Sequence, residues 1–181
     1  MKKPVLILSM VFLLCFTFGC QQEREEELSI EEARTIIDGL VKFRNEGDLT
    51  AADRVMHPEC VIRYSHLPEE IAGLEAYKEY DKMTRNTFPD FKMAVDDFFV
   101  KDNKIVGYWS LDATNAGPLM TPMGEHPPTN KKIHITGMFI SYIVDGKIKE
   151  DVAYFDMLNM MQQLGFTLVP PQPPEKQEEK K

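Results

Sequence analysis

Apolar side chains recur at helical spacing from Ile30 to Val41, which predicts an amphipathic helix in this part of the chain. Ser29 and Glu32 form a capping box in front of this stripe, and Gly47 is suited to end the helix. Two further helices are predicted before residue 90, with a short strand between them. They are a short helix from Asp48 to Met56, the strand Cys60–His66 and a helix from Leu74 to Phe88.

After residue 90 the pattern changes to long apolar strands joined by turns at Asp102-Asn103 and Asp145-Gly146, the second of which is a strong hairpin signal. The predicted strands are Phe91–Val100 with Lys104–Asn115 and Lys131–Val144 with Lys147–Phe155, and a helix from Met157 to Leu164 follows. This order predicts an α+β fold. We expect a cone-shaped half-open barrel with a ligand pocket at its mouth. In it, three N-terminal helices pack in a curved, mostly antiparallel sheet, and a short C-terminal helix follows.

The last predicted strand supplies a candidate for acid–base chemistry. By alternation Ile148, Val152 and Tyr154 share one face, and we expect that apolar face to be the concave one. The same alternation carries Asp156 to the inner face and turns Asp151 towards solvent. Asp156 is therefore either a carboxylate in the pocket or the N-cap of the final helix.

Asn115 and His66 complete the set of candidate catalytic residues. Asn115 shares a strand face with Trp109 and can donate a hydrogen bond to an oxyanion. His66 ends the first strand, so it lies either at the pocket mouth or in a surface loop. Trp109, Tyr64 and Tyr154 are expected to line the pocket as aromatic side chains without a chemical role.

Composition narrows the possible partners and cofactors. The 181 residues are 43% hydrophobic and carry a net charge of −8, and an acidic surface repels the phosphates of nucleic acids. The sequence has no metal-ligand spacing such as HxxxH or CxxC and no GxSxG motif, so we expect neither a metal nor a cofactor. The strand Lys131–Val144 is apolar on both faces, which predicts a homodimer whose second subunit covers the convex side of the sheet.

The two ends of the chain differ in composition from its centre. Residues 1–19 carry Lys2 and Lys3 and then an apolar run, which is typical of a signal peptide. The segment ends at Gly19-Cys20, which resembles a bacterial lipobox. We therefore expect lipidation at Cys20 and a membrane-anchored lipoprotein of the cell envelope. The alternatives are an ordinary signal peptide and an uncleaved membrane anchor. The remaining segments are predicted as an acidic tether at 20–28, the folded domain at 29–168 and a disordered, proline-rich and charged tail at 169–181.

Several short motifs resemble the SnoaL-like polyketide cyclases, also called ester cyclases, of the nuclear-transport-factor-2-like superfamily. They are Glu46-Gly47-Asp48-Leu49, Phe88-Pro89-Asp90-Phe91, Tyr108-Trp109, Pro127-Pro128-Thr129-Asn130-Lys131, Gly137, Asp145-Gly146-Lys147-Ile148, and the segment from Asp156 to Gly165. The motifs extend over nearly the whole predicted domain. The resemblance implies the cone-shaped fold and a cyclase mechanism without metal or cofactor, in which a carboxylate in an apolar pocket removes and returns a proton.

The resemblance therefore favours an envelope lipoprotein that binds a small, mostly apolar carbonyl compound and catalyses its cyclisation or isomerisation. It also implies an acid near Asp156, whereas members of the family often carry histidine where Asn115 stands. The alternative is a module of the cell envelope that holds a ligand or a partner without turnover, because this superfamily uses one fold for many tasks.

Overall fold

The computed structural model describes residues 27–121, 124–167 and 169. Four helices are present among these residues: α1 (Ile30–Glu46), α2 (Leu49–Val55), α3 (Leu74–Thr87) and α4 (Met157–Gln163). The strands are β1 (Met56–Tyr64), β2 (Ile71–Ala72), β3 (Lys92–Lys101), β4 (Lys104–Thr114), β5 (Leu119–Thr121), β6 (Gly124–His126), β7 (Lys132–Val144) and β8 (Lys147–Phe155). The predicted signal peptide, Cys20, most of the tether and residues 170–181 lie outside the described part of the chain.

Six strands form one curved, mostly antiparallel sheet in the order β2-β1-β8-β7-β4-β3, which is not closed into a barrel. The exception to the antiparallel pairing is β1, which runs parallel to β8. The predicted α+β fold is confirmed, including both long hairpins and the short C-terminal helix. The small separate hairpin of β5 and β6 was not predicted.

Helix α1 begins and ends at the residues that the sequence predicts. The Ser29 side chain accepts a hydrogen bond from the Glu32 backbone, and the Glu32 carboxylate accepts one from the Ser29 backbone. At the other end Gly47 has a φ of 71°, in the left-handed region that glycine adopts without strain. These two caps fix the ends of the helix.

The core lies between the concave face of the sheet and the helices. Helix α1 buries one face of its stripe, including Ile37, Leu40 and Phe43, against the sheet. A second cluster joins the far end of β4 and β7 to α4 through side chains such as Leu111, Ile135 and Leu164. The two clusters leave a space between them, because the sheet curves away from the helices there.

The pairing of β7 with β8 contains an irregularity that decides which side chains face this space. Ile148 is paired with Ile143, but Glu150 is paired with Tyr142, so β8 holds one extra residue, Lys149, at this point. Such a bulge reverses which face the later residues of the strand occupy.

No helix among the described residues is both long and apolar enough to cross a membrane.

Candidate active site

A cavity of about 330 Å³ lies between the concave face of the sheet and helices α1, α3 and α4. Its walls are mainly aromatic and aliphatic, and the hairpin of β5 and β6 contributes to one side. Met83 and Met120 also line it, and they are 59% and 68% exposed, so the mouth lies between α3 and β5. This volume is within the range of small-molecule pockets.

Asp151 is the carboxylate that lines this cavity at its buried end. Because of the bulge at Lys149, Asp151 shares the concave face with Ala153 and Phe155, and it is only 5% exposed. Its Oδ1 accepts a hydrogen bond from the Ser141 hydroxyl at 2.5 Å across the β7–β8 pair. Burial raises the pKa of Asp151 to about 6, although the Ser141 hydrogen bond and the charge of Arg44 act in the opposite direction.

Two pairs of hydrogen-bonded aromatic side chains line the same cavity as Asp151. The hydroxyls of Tyr64 and Tyr77 are 2.8 Å apart, and the Tyr80 hydroxyl lies 2.9 Å from His66 Nε2. The rings of Tyr64 and His66 are stacked at 5.7 Å. These side chains give the deep end of the cavity a polar edge inside an otherwise apolar wall.

His66 lines the cavity in its neutral form. Burial, and after it the charge of Arg44, lowers the pKa of His66 to about 4, so the ring carries no charge at neutral pH. Its Nδ1 atom is buried and has no hydrogen-bond partner among the described residues. Of the two positions that the sequence left open for His66, the structure has the one at the pocket wall.

A buried ion pair closes the same end of the cavity. Arg44 of α1 and Asp81 of α3 are 6% and 1% exposed, and the distance from Arg44 Nη1 to Asp81 Oδ1 is 2.7 Å. The second carboxylate oxygen of Asp81 contacts Arg85, whose side chain is 24% exposed. The Arg44 guanidinium also lies over the rings of Tyr77, Tyr80 and Phe91, with 4.8 Å to the centroid of Phe91.

Trp109 and Tyr64 contribute to the cavity wall. Trp109 passes directly over Gly137 of the neighbouring strand, where a Cβ atom would come within 2.4 Å of the indole ring and of the Tyr154 carbonyl oxygen. Only a residue without a side chain fits this crossing. Gly137, one of the motif residues, thus lets the indole lie flat against the sheet and reach Phe155 at 6.0 Å.

The expectation that Asp156 and Tyr154 face inwards is wrong. Asp156 is exposed and caps α4, since its Oδ1 accepts a hydrogen bond from the Asn159 backbone at 2.9 Å. Tyr154 is 65% exposed on the convex face. Alternation without a bulge also turns Asp151 towards solvent, whereas it faces the cavity. All three errors arise because the alternation assumed no bulge at Lys149.

Asn115 lies away from the cavity and holds two loops together. Its amide donates to the Gly117 carbonyl at 2.8 Å, and its Oδ1 accepts hydrogen bonds from the backbone and hydroxyl of Thr129 at 2.9 and 3.0 Å. The side chain is fully buried, and every one of these bonds is to the protein itself. Asn115 therefore stabilises the loop between β4 and β5, and the expected role as a donor to a ligand is not supported by its position.

Two signals in the sequence indicate the residues that pattern reading missed. Arg44 continues the apolar stripe of α1, one turn beyond Leu40, and Asp81 occupies the equivalent position after Tyr77 on α3. A charge on a buried helix face needs a partner, and these two charges are each other's partner. The run Lys149-Glu150-Asp151 shows no alternation of apolar and polar residues, as expected where a strand bulges. In the described part of the chain no cluster of three or more His, Cys, Asp or Glu is suited to hold a metal ion.

Comparisons with known proteins agree with this architecture. A sequence profile described as SnoaL-like polyketide cyclase matches residues 34–164. Two similar solved structures come from Streptomyces. TsrD from Streptomyces laurentii is 24% identical with a TM-score of 0.68, and the match covers 77% of this chain and 98% of that one. IdmH from Streptomyces antibioticus, a candidate polyketide cyclase, is 24% identical with a TM-score of 0.63, and the match covers 75% of this chain and 99% of that one. A third is a hypothetical protein of ketosteroid isomerase-like fold from Catenulispora acidiphila, in complex with trimethylamine. It is 9% identical with a TM-score of 0.61, and the match covers 73% of this chain and 93% of that one. No curated protein matches the chain.

Proposed function

Because this chain belongs to the SnoaL-like polyketide cyclase family, we propose that it catalyses cofactor-free acid–base chemistry on a small, mostly apolar carbonyl compound. The observation that carries the proposal is Asp151, a carboxylate that is buried in the wall of an apolar cavity. Its raised pKa of about 6 is close to neutral pH, where a carboxylate can both accept and return a proton.

In the proposed reaction, the Asp151 carboxylate removes a proton from the carbon next to a substrate carbonyl. The electron pair of the C–H bond forms the enolate double bond, and the negative charge moves to the carbonyl oxygen. In a cyclisation the enolate carbon attacks a second carbonyl carbon of the same molecule, and the π electrons of that C=O bond move to its oxygen, which takes up the returned proton. In an isomerisation of an unsaturated ketone the enolate extends into the neighbouring C=C bond, and the returned proton adds to the far carbon of that bond. Protonated Asp151 returns the proton in the last step.

The walls of the cavity support this chemistry by excluding water. An apolar surrounding strengthens hydrogen bonds to a developing oxyanion and keeps the enolate from being protonated by solvent. Tyr64 and Tyr80 line the same cavity as Asp151, and their hydroxyls can donate hydrogen bonds. Neutral His66 contacts the Tyr80 hydroxyl and can orient it. The proposal gives no chemical role to Asp156 or Asn115.

Deuterium exchange into a simple ketone tests the proposal without knowledge of the natural substrate. The purified protein is incubated in D2O with 2-tetralone, and loss of the protons next to the carbonyl is followed by NMR. We expect exchange above the buffer rate, and we expect Asp151→Asn to lower the catalysed rate about 100-fold, since the amide cannot accept the proton.

Asp156→Asn is the matched control, because it makes the same chemical change at a carboxylate outside the cavity and asparagine is also a good N-cap. Its exchange rate should equal that of the unaltered protein. Equal rates for the unaltered protein and Asp151→Asn would contradict the proposal. Binding of 2-tetralone without any exchange would favour a ligand-holding module of the same fold.

A second copy of this chain is the partner that we propose for the convex face of the sheet. Tyr108, Met138 and Tyr154 are paired in one row across β4, β7 and β8, and they are 43%, 59% and 65% exposed. The row has tyrosines on both sides of a central methionine, so it can meet itself about a two-fold axis. Light scattering should give the mass of a dimer for the purified protein and the mass of a monomer for the Met138→Asp variant. A monomer mass for the unaltered protein would contradict the proposed dimer.

We also propose that the domain is carried on a lipid anchor in the bacterial cell envelope. The support is the apolar run that ends at Gly19-Cys20 in the sequence. Incorporation of a labelled fatty acid in the producing cell, and its loss in Cys20→Ser, would test the anchor.

A further inference from the structure

A guanidinium lines the cavity wall beside the aromatic side chains, although the cavity is mostly apolar. Arg44 is 6% exposed, and Asp81 is the one hydrogen-bond partner of its guanidinium within the described residues, through Nη1. The guanidinium lies over the rings of Tyr77 and Phe91, which hold its plane in place. Since arginine has five N–H donors in a rigid plane, donors remain for a group that enters the cavity.

The charges at this end of the cavity do not cancel by themselves. Asp81 contacts two arginines, Arg44 and Arg85, so these three residues carry a net charge of +1. His66 is neutral at neutral pH and adds nothing. Asp151 is the other charged group in the wall, and when it is protonated no anion in the wall balances the excess positive charge of Arg44, Asp81 and Arg85. The site is then suited to accept one negative charge from a ligand.

We propose that Arg44 binds an anionic oxygen on an apolar ring compound, and that this oxygen is the enolate oxyanion of the reaction. The inference rests on the proposed function, because proton removal by Asp151 is what creates the anion. As the proton moves to Asp151, the negative charge moves from its carboxylate to the substrate oxygen. The total charge of the site is unchanged, and Arg44 attracts the charge in both positions.

This arrangement links the binding of an anion to the protonation of Asp151. Two negative charges in one dry cavity repel each other, so an anion binds well only when Asp151 carries a proton. Groups on three neighbouring elements face Asp151 besides Ser141 of β7: Arg44 of α1, Cys60 and Tyr64 of β1, and Tyr77 of α3. Burial raises the pKa of Cys60, Tyr64 and Tyr77, so among these groups only Asp151 titrates near pH 6.

Two probes of equal ring size separate charge from shape: 2-naphthoate, which is anionic, and 2-naphthamide, which is neutral. Their affinities for the purified protein are measured by calorimetry between about pH 5.5 and 8. We expect 2-naphthoate to lose about tenfold in affinity for each pH unit above the pKa of Asp151, and 2-naphthamide to lose none. In Asp151→Asn the affinity for 2-naphthoate should no longer depend on pH.

The double variant Arg44→Gln/Asp81→Asn removes the ion pair without leaving a buried charge alone. It should bind the two probes about equally. Arg44→Lys keeps the charge but not the planar fork, so it should retain part of the preference for 2-naphthoate. If either variant fails to fold, the inference is still tested by whether the unaltered protein binds 2-naphthoate more tightly than 2-naphthamide at low pH.

The inference is overturned if the unaltered protein binds 2-naphthoate no tighter than 2-naphthamide at low pH, if the double variant keeps the preference, or if neither probe binds. Deuterium exchange that persists alongside such a result would leave the proposed function standing with another oxyanion donor. Loss of exchange together with a normal preference for 2-naphthoate would instead contradict the proposed function alone.

Discussion

Asp81→Ala is expected to lower the free energy of unfolding by about 3–5 kcal/mol, because it leaves the buried guanidinium of Arg44 without its partner. The Arg44 side chain is only 8% exposed, so water replaces the lost carboxylate incompletely. Arg85, the second partner of Asp81, is 24% exposed and can turn to solvent. The stability loss is therefore assigned mainly to Arg44.

Urea unfolding of the two proteins at neutral pH measures this difference. Glu79→Ala is the matched control, since Glu79 lies on the same helix and pairs with Lys82 at 3.8 Å on the surface. A surface pair of this kind contributes about 0–1 kcal/mol. If both variants lost the same small amount, the Arg44–Asp81 pair would not be the buried link that joins α1 to α3.

The elements of the fold could be predicted because the sequence signals that define them act locally. Ser29 and Glu32 cap α1 through bonds within one turn, and Asp145-Gly146 closes a hairpin through its own backbone. Such features do not depend on distant residues. The parallel pairing of β1 with β8 brings together residues about 90 positions apart, such as Ile62 and Asp151, and no local pattern reports it.

The site could be predicted less well, because one extra residue in β8 decides it. Alternation assumes two residues per repeat, and Lys149 breaks that count, so Asp151 turns inwards and Tyr154 outwards. His66, Tyr64 and Trp109 lie before the bulge in the chain, and the sequence assigned each of them to the pocket or left that open. The buried end of the site was missed because Arg44 and Asp81 come from two helices whose contact the sequence does not encode locally.

Asp151→Asn is expected to raise the free energy of unfolding above about pH 6, by up to about 3 kcal/mol. The pKa of Asp151 is about 6 in the folded protein, against an ordinary value of 3.8. Below the ordinary value the carboxyl group is protonated in both states and has no effect on stability. As the pH rises through the folded pKa, the folded protein must hold a buried anion, and stability is lost; asparagine never carries that charge.

The measurement is the difference in unfolding free energy between the two proteins at about pH 4 and about pH 7.5, so that all other titrating groups cancel. Asp156→Asn should show no such difference, because Asp156 is exposed and the cap is kept. A variant that is equally stable or less stable than the unaltered protein at both pH values would contradict the burial of Asp151. If this gain is measured, an amide at this position serves the fold better than a carboxylate. That result would support the assignment of Asp151 as the acid–base group.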